Sequence, residues 1–134
     1  MISYHDMITQ YGNLNLEHAN VYYIKYYLDD NTCLTIFSKI SKLFDSDDNK
    51  MVYDEDDKPS YRLNRKTLVF VDKTVDITVI PKIWGKNVTV TEFPEELAMV
   101  KESLEKLLNF KFNICLANYY IDGKKAIGWH SDNK

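Results

Sequence analysis

The pattern of apolar positions from Pro94 to Asn109 predicts an amphipathic helix. Pro94 suits the first helical position, and the two glutamates after it suit the positive end of a helix. One side of this helix carries apolar residues at helical spacing: Leu97, Val100, Leu104, Leu107 and Leu108. The charged residues fall on its other sides: Lys101, Glu102, Glu105 and Lys106.

A second helix is predicted over Thr32 to Phe44, directly after three residues, Asp29–Asn31, whose side-chain oxygens can cap it. Its apolar residues recur at helical spacing: Cys33, Phe37, Ile40 and Phe44. Lys39 and Lys42 are expected to face water.

Strands are predicted where β-branched and aromatic residues cluster between turn residues. The runs are Val21–Leu28, Thr67–Val71, Ile77–Ile80, Val88–Val90, Phe112–Tyr120 and Ala126–Trp129. The Asp122-Gly123 pair is a turn signal, so the last two runs would form a hairpin that leads into His130. Helices beside a β-rich core in a chain of 134 residues predict one α+β domain.

Charge and cysteine content narrow the functional class. The net charge of −3 excludes a globally basic surface for nucleic acid, although a local basic patch remains allowed. No apolar run is long enough to span a membrane, and residues 1–20 do not resemble a secretory signal. Cys33 and Cys115 are the only cysteines, which favours a reducing intracellular setting, in the cytoplasm or nucleus. The acidic stretch Asp45 to Lys58 is predicted to be an exposed loop.

Polar residues on the predicted terminal hairpin follow the alternation of side chains in strands. Asn118 and Tyr120 share one face of their strand, and His130 and Asp132 share one side across the turn. Buried polar groups need partners, so four such groups that converge inside a β-structure predict a ligand. A metal ion held by His130 and Asp132, with a dicarboxylate held by Asn118 and Tyr120, would satisfy them.

This part of the sequence resembles the AlkB-like Fe(II)- and 2-oxoglutarate-dependent dioxygenases. The shared pattern is Phe-Asn-x-x-Leu-x-Asn-x-Tyr-x-Asp-Gly over 112–123, followed by Ile-Gly-x-His-x-Asp over 127–132. The resemblance implies that the core is part of a double-stranded β-helix, or jelly roll, flanked by N-terminal helices. It also implies that His130 and Asp132 are ligands of Fe(II), and that Asn118 and Tyr120 bind the co-substrate 2-oxoglutarate.

The same resemblance implies oxidative demethylation of alkylated bases in DNA or RNA, as in nucleic-acid repair, with the base flipped into the site. Arg65 and Lys66 would then be candidates for contact with nucleic-acid phosphates. The abundance of Asn, Ile, Lys and Tyr is compatible with an AT-rich genome, including a viral one that is expressed in a host cell.

The sequence departs from the family pattern after Asp132. The third iron ligand, a downstream histidine, is absent, as is the arginine that pairs with 2-oxoglutarate, while His5 and His18 lie near the N-terminus. One expectation is therefore a C-terminally incomplete domain, inactive by itself. A second is a non-catalytic AlkB-derived module that binds nucleic acid or protein. A third is a barrel that a second chain completes.

Overall fold

The computed structural model describes residues 13–19, 21–45, 66–80, 89–120, 122–124 and 129. The chain divides into two compact units. The helical unit comprises Met1–Ser38 and Pro94–Phe112, and the sheet unit comprises Lys39–Phe93 and Asn113–Lys134.

Two helices and three strands form the described part of the chain, which confirms the α+β class. In chain order they are α1 (Asp30–Phe44), β1 (Lys66–Val71), a 3-10 turn (Ile77–Val79), β2 (Thr89–Glu92), α2 (Glu95–Leu108) and β3 (Ile114–Tyr119). Neither helix is long and apolar enough to cross a membrane. The jelly roll stays a prediction, because the described strands form one three-stranded sheet. Most of the predicted strand Ala126–Trp129 and most of the predicted loop over 45–58 lie outside the described residues.

Strand β1 is the centre of the sheet, whose order is β2-β1-β3. It pairs in parallel with β2 and antiparallel with β3. Five of its six residues are buried, and Leu68, Val69 and Phe70 are at most 1% exposed. A central strand covered on both faces is expected to be mostly apolar, and the last four residues of β1, Leu68–Val71, are.

The two faces of β1 have different neighbours. Thr67, Val69 and Val71 point to one side, here called the Thr67 face, and Leu68 and Phe70 point to the other, the Phe70 face. On the Thr67 face, Val69 and Val71 form a core cluster with Ile80. Three further apolar residues pack against this cluster: Val75, Val90 and Ile114.

The end of helix α1 lies against the Phe70 face. The ring of Phe44 stacks on Tyr119 of β3, with ring centroids 5.3 Å apart. The Lys66 ammonium donates a hydrogen bond of 2.9 Å to the carbonyl of Phe44. The last carbonyls of a helix lack partners within the helix and carry partial negative charge, so a lysine is favourable there. These contacts fix the start of β1 and the end of β3 to one helix end.

Helix α1 begins as its sequence predicts, but part of its apolar side is exposed. The Asp29 carboxylate accepts hydrogen bonds from the backbone N–H and the hydroxyl of Thr32, at 2.9 and 2.8 Å, and these bonds lower the pKa of Asp29. The prediction that Cys33 and Phe37 belong to the covered side is wrong, because Cys33 is exposed and Phe37 is 69% exposed. The side that is covered begins one residue earlier and runs through residues 32, 36, 40 and 44.

The predicted strand Val21–Leu28 is also wrong. Only Tyr22 makes a β-bridge, to Asn13, and the chain turns at residues 25 and 26. Tyr26 has a φ of 57°, a left-handed conformation that an extended strand does not contain. The hydroxyl of Tyr27 lies 2.6 Å from that of Ser103 in α2, so a tertiary contact replaces regular strand pairing.

The predicted strand Ile77–Ile80 forms a 3-10 turn instead over Ile77–Val79. The carboxylate of Asp76 accepts hydrogen bonds from the backbone N–H and the hydroxyl of Thr78, at 3.0 and 2.7 Å. Such local bonds from an aspartate offer the backbone an alternative to a β-ladder. The turn is followed by the buried Ile80, which belongs to the core cluster.

Helix α2 matches its prediction closely, except that one charged residue predicted to be exposed is buried. Pro94 is the N-cap rather than the first helical residue, and Asn109 ends the helix in a left-handed conformation. Glu105, predicted on the polar side, is only 5% exposed in its side chain. Its carboxylate accepts hydrogen bonds of 2.9 to 3.0 Å from the ammonium groups of Lys101 and Lys111 and from the backbone N–H of Phe112.

The Glu105 contacts predict a pH-dependent contribution to stability. The two lysines and the backbone N–H lower the pKa of Glu105 from 4.5 to about 2. Because the folded state holds its proton less tightly than the unfolded state, the contribution is present above about pH 4.5 and is lost as the pH falls towards 2. We expect Glu105→Gln to lower the urea midpoint at pH 7, with a difference from the unsubstituted protein that narrows below pH 4.5. Glu102→Gln, at an exposed position of the same helix, is the control and should show no such narrowing.

Candidate functional site

The structure describes some of the predicted site residues, and the others lie outside the described ranges. Asn118 lies in β3, and Tyr120 follows the last residue of that strand. Lys66 is the first residue of β1. His130, Asp132 and Arg65 lie outside the described residues, so their placement stays a prediction.

Asn118 stands directly opposite Thr67 in the antiparallel pairing of β3 with β1. Directly opposed residues project to the same face of a sheet, which places Asn118 on the Thr67 face. The Thr67 hydroxyl donates a hydrogen bond of 3.1 Å to the Oδ1 atom of Asn118. Thr67 is 4% exposed, whereas Asn118 is exposed. The bond therefore joins a fixed, buried hydroxyl to an amide that solvent or a ligand can reach.

The Thr67 face changes from apolar to polar along the strands. Its core cluster lies around Val71 and Ile114, and Thr67 and Asn118 lie four residues away, or about 13 Å along an extended chain. Leu116 and Tyr120 are 36% and 38% exposed, and Asn118 lies between them. By contrast, Tyr119, which points to the Phe70 face, is covered by Phe44. The exposed polar end of the Thr67 face is thus the place in this sheet where a ligand can contact β3.

The groups at this end fit a carboxylate. Oδ1 of Asn118 accepts from Thr67, which leaves the two hydrogens of Nδ2 to donate outward, and the Tyr120 phenol can donate as well. Among the described residues Nδ2 has no hydrogen-bond partner. Hydrogen-bond donors exposed on one face of a strand suit an anionic oxygen ligand. The described geometry is therefore compatible with the dicarboxylate that the sequence predicts here.

The chain after β3 begins to turn at the predicted position. The backbone N–H of Lys124 donates a hydrogen bond of 2.8 Å to the Asp122 carboxylate, which is the local bond that aspartate makes in turns. Among the described strands, β3 is paired on one edge only, with β1. A returning segment could therefore pair with the other edge, which is where the predicted hairpin would place His130.

Metal binding depends on residues outside the described ranges. Within those ranges, no group of three histidine, cysteine or acidic side chains could hold a metal ion. His18 has a side chain that is 90% exposed, and it lies 3.3 Å from Glu17. The donor set of His130 and Asp132, one imidazole and one carboxylate, has the chemistry that ferrous iron accepts in oxygenases. These two residues would hold the iron, and a complete facial triad needs one further histidine.

Lys66 has a structural contact in addition to its predicted role. Its ammonium bonds to the Phe44 carbonyl at the end of α1, and its side chain is partly buried. Contact between Lys66 and a phosphate stays a prediction, and it would require this ammonium to leave or share its helix-capping position.

Thr67 is the member of this polar group that the sequence analysis did not single out. Its sequence context indicates only the start of an apolar strand. The available signal was a single polar residue in the run Thr67–Val71, which is otherwise apolar. Its partner could not be read from the sequence, because Asn118 lies 51 positions after Thr67 and their pairing depends on the register of two strands.

Comparison with known proteins agrees with this chemistry. Residues 20–134 match the family model of the 2OG-Fe(II) oxygenase superfamily. A search of curated proteins and a search of solved structures each found no match. The family implies Fe(II) as the metal and 2-oxoglutarate as the co-substrate. Since the family model covers most of its length, the chain belongs to the 2OG-Fe(II) oxygenase superfamily.

Proposed function

We propose that this oxygenase is of the AlkB type and catalyses oxidative demethylation of alkylated bases in DNA or RNA. The superfamily match supports an oxidoreductase that uses 2-oxoglutarate. The observation that supports the narrower assignment is the ordered motif from Phe112 to Asp132 together with the exposed amide of Asn118 on β3.

In this proposal, two pairs of residues bind the co-substrate and the metal separately. Asn118 and Tyr120 donate hydrogen bonds to a carboxylate of 2-oxoglutarate, and His130 and Asp132 hold the iron. When bound, iron and 2-oxoglutarate supply the oxidising chemistry: O2 is reduced, 2-oxoglutarate becomes succinate and CO2, and the hydroxylated N-methyl group leaves as formaldehyde. The protein orients the two co-substrates and the methyl group towards one another, which lowers the entropic cost of reaction.

The nucleic-acid substrate would be held by local charge. A chain of net charge −3 cannot bind nucleic acid through its overall field, so phosphate contacts would come from a few lysines and arginines. Arg65 and Lys66 are the proposed contacts, and Lys124 is exposed in the turn after β3. An enzyme that acts on a base also needs the base outside the helical stack, which favours single-stranded or flipped substrates.

A second candidate function is a non-catalytic module that binds nucleic acid or protein. It would apply if no further ligand joined His130 and Asp132, since the other two of the three histidines in the given sequence, His5 and His18, lie far from that pair along the chain. A second chain that supplies the missing ligand would reconcile this count with catalysis. Mass measurement in solution distinguishes a complex of two chains from a monomer.

The direct test is release of formaldehyde from N-methylated oligonucleotides. The chain is incubated with Fe(II), 2-oxoglutarate and O2, together with methylated single-stranded DNA, duplex DNA or RNA. We expect slow formation of formaldehyde and succinate in equal amounts, and none from unmethylated oligonucleotides of the same sequence. Succinate release that is independent of any methylated oligonucleotide would retain the superfamily activity and contradict the proposed substrate. Oligonucleotide binding without either product would support the non-catalytic module.

A further inference from the structure

Thr67 is a buried polar residue at the start of a strand whose next four residues are apolar. Its side chain is 4% exposed, and the residues that follow it in β1 are the least exposed in the sheet. A valine has the same shape and would fill this position without a polar atom to satisfy. The hydroxyl therefore needs a reason beyond packing, and its one described partner is the amide of Asn118, 3.1 Å away.

The bond from Thr67 favours one of the two orientations of the Asn118 amide. An asparagine amide has a nearly symmetric shape, and rotation by half a turn exchanges its oxygen and its NH2 group. In the reverse orientation Nδ2 would donate to the Thr67 oxygen, and the buried hydroxyl hydrogen would lose its one described acceptor. When Oδ1 accepts from the hydroxyl instead, both groups are satisfied and Nδ2 points away from Thr67. Only that orientation offers donors to an anion, because the reverse one would present an oxygen to the carboxylate.

We propose that Thr67 is a positioning residue for co-substrate binding: its hydroxyl holds the Asn118 amide with the NH2 group towards 2-oxoglutarate. This inference rests on the proposed role of Asn118 in binding that carboxylate. Thr67 stands beside Asn118 on the neighbouring strand and is buried, so its proposed effect acts through the amide. Its effect is to remove the unproductive amide orientation before the co-substrate arrives, which lowers the cost of binding.

The test compares Thr67→Val, which keeps the shape and removes the hydroxyl, with Thr67→Ser, which keeps the hydroxyl. Binding of 2-oxoglutarate is measured by calorimetry in the presence of Mn(II), and Mn(II) binding is measured separately. We expect Thr67→Val to weaken 2-oxoglutarate binding by roughly three- to tenfold, the effect of one neutral hydrogen bond, and to leave Mn(II) affinity unchanged. Thr67→Ser should bind within about twofold of the unsubstituted chain.

A second readout needs no ligand. The side-chain amide signals of Asn118 in a nitrogen–proton NMR spectrum report its hydrogen bonding. They should shift in Thr67→Val and stay in place in Thr67→Ser. If Thr67→Val fails to fold, Thr67→Ala replaces it in both measurements. Unshifted Asn118 signals in the folded variant without the hydroxyl would overturn the inference.

Asn118→Ala separates failure of this inference from failure of the proposed function. If Asn118→Ala weakens 2-oxoglutarate binding and Thr67→Val does not, the positioning role is wrong and the role of Asn118 stands. If Asn118→Ala binds 2-oxoglutarate normally, or the unsubstituted chain does not bind it at all, the proposed site is wrong and the inference falls with it. In the double variant that combines Thr67→Val with Asn118→Ala, 2-oxoglutarate binding should be no weaker than in Asn118→Ala alone.

Discussion

We expect that the 134-residue chain no longer binds Fe(II) when His130 or Asp132 is replaced by alanine. The same loss is expected for Mn(II), which serves as a stable substitute for Fe(II). The family implies an iron site, and these two residues are its proposed protein ligands. Loss of a residue that merely supports a ligand already costs about 10- to 100-fold in metal affinity, so loss of a ligand should cost more than about 100-fold. A single remaining donor would not compete with water for the ion.

Strand alternation provides the matched control. Ser131 lies between the two proposed ligands and would project to the opposite side, so Ser131→Ala should bind Mn(II) like the unsubstituted chain. His18→Ala is a second control, because the His18 side chain is 90% exposed. The measurement is Mn(II) titration by electron paramagnetic resonance, which counts the free ion. Affinity that is unchanged in His130→Ala or in Asp132→Ala would refute the site, and loss in His18→Ala would relocate it.

Elements with a strong local pattern could be predicted from the sequence. Helix α2 has a cap, acidic residues at its start and a continuous apolar stripe, and the structure places it over Glu95–Leu108. Strands β1 and β3 consist mainly of residues that favour extended chain, and both were expected within two residues of their observed ends. In each of these elements, the intrinsic preference of the residues and the pattern of buried positions favour the same secondary structure. The local sequence is therefore enough to predict that structure.

Elements that depend on a competing contact could not be predicted. The run after Asp76 has the composition of a strand, but hydrogen bonds between Asp76 and Thr78 hold it as a 3-10 turn. The tyrosine-rich run before α1 also has strand composition, yet Tyr26 has a left-handed backbone and Tyr27 contacts Ser103. The residue composition of these segments is compatible with a strand and with a turn. Side-chain hydrogen bonds then determine which of the two conformations forms.

The candidate site divides in the same way. Asn118 and Tyr120 could be identified from spacing and chemistry, since both rest on strand alternation within one segment. The partner of Asn118 could not, because the pairing of Thr67 with Asn118 is a product of sheet register. Glu105 is a similar case, because its position on the helix predicts a side chain exposed to solvent. Its carboxylate is buried instead, and hydrogen bonds from three nearby donors compensate for the loss of contact with water.

Phe70→Ala is expected to cause the largest loss of stability among the substitutions considered. Phe70 is 0% exposed at the centre of β1, and its ring lies 6.1 Å from that of Phe93. Replacing a buried phenylalanine by alanine removes apolar contacts and leaves a cavity, at a cost of about 3–5 kcal/mol. Domains of this size are stable by only about 5–15 kcal/mol, so this substitution removes a large share of the free energy of unfolding.

Urea denaturation followed by circular dichroism measures this loss, and Phe37→Ala is the control. Phe37 is the same residue type at 69% exposure in α1, and its replacement should change the free energy of unfolding by less than about 0.5 kcal/mol. Equal effects of the two substitutions would mean that β1 is not the core of the sheet. The distinction bears on function, because Phe70 and Thr67 point to opposite faces of the strand that holds Asn118 in register. As urea unfolds Phe70→Ala, 2-oxoglutarate and Mn(II) binding should be lost together, whereas Thr67→Val should lose affinity for 2-oxoglutarate alone.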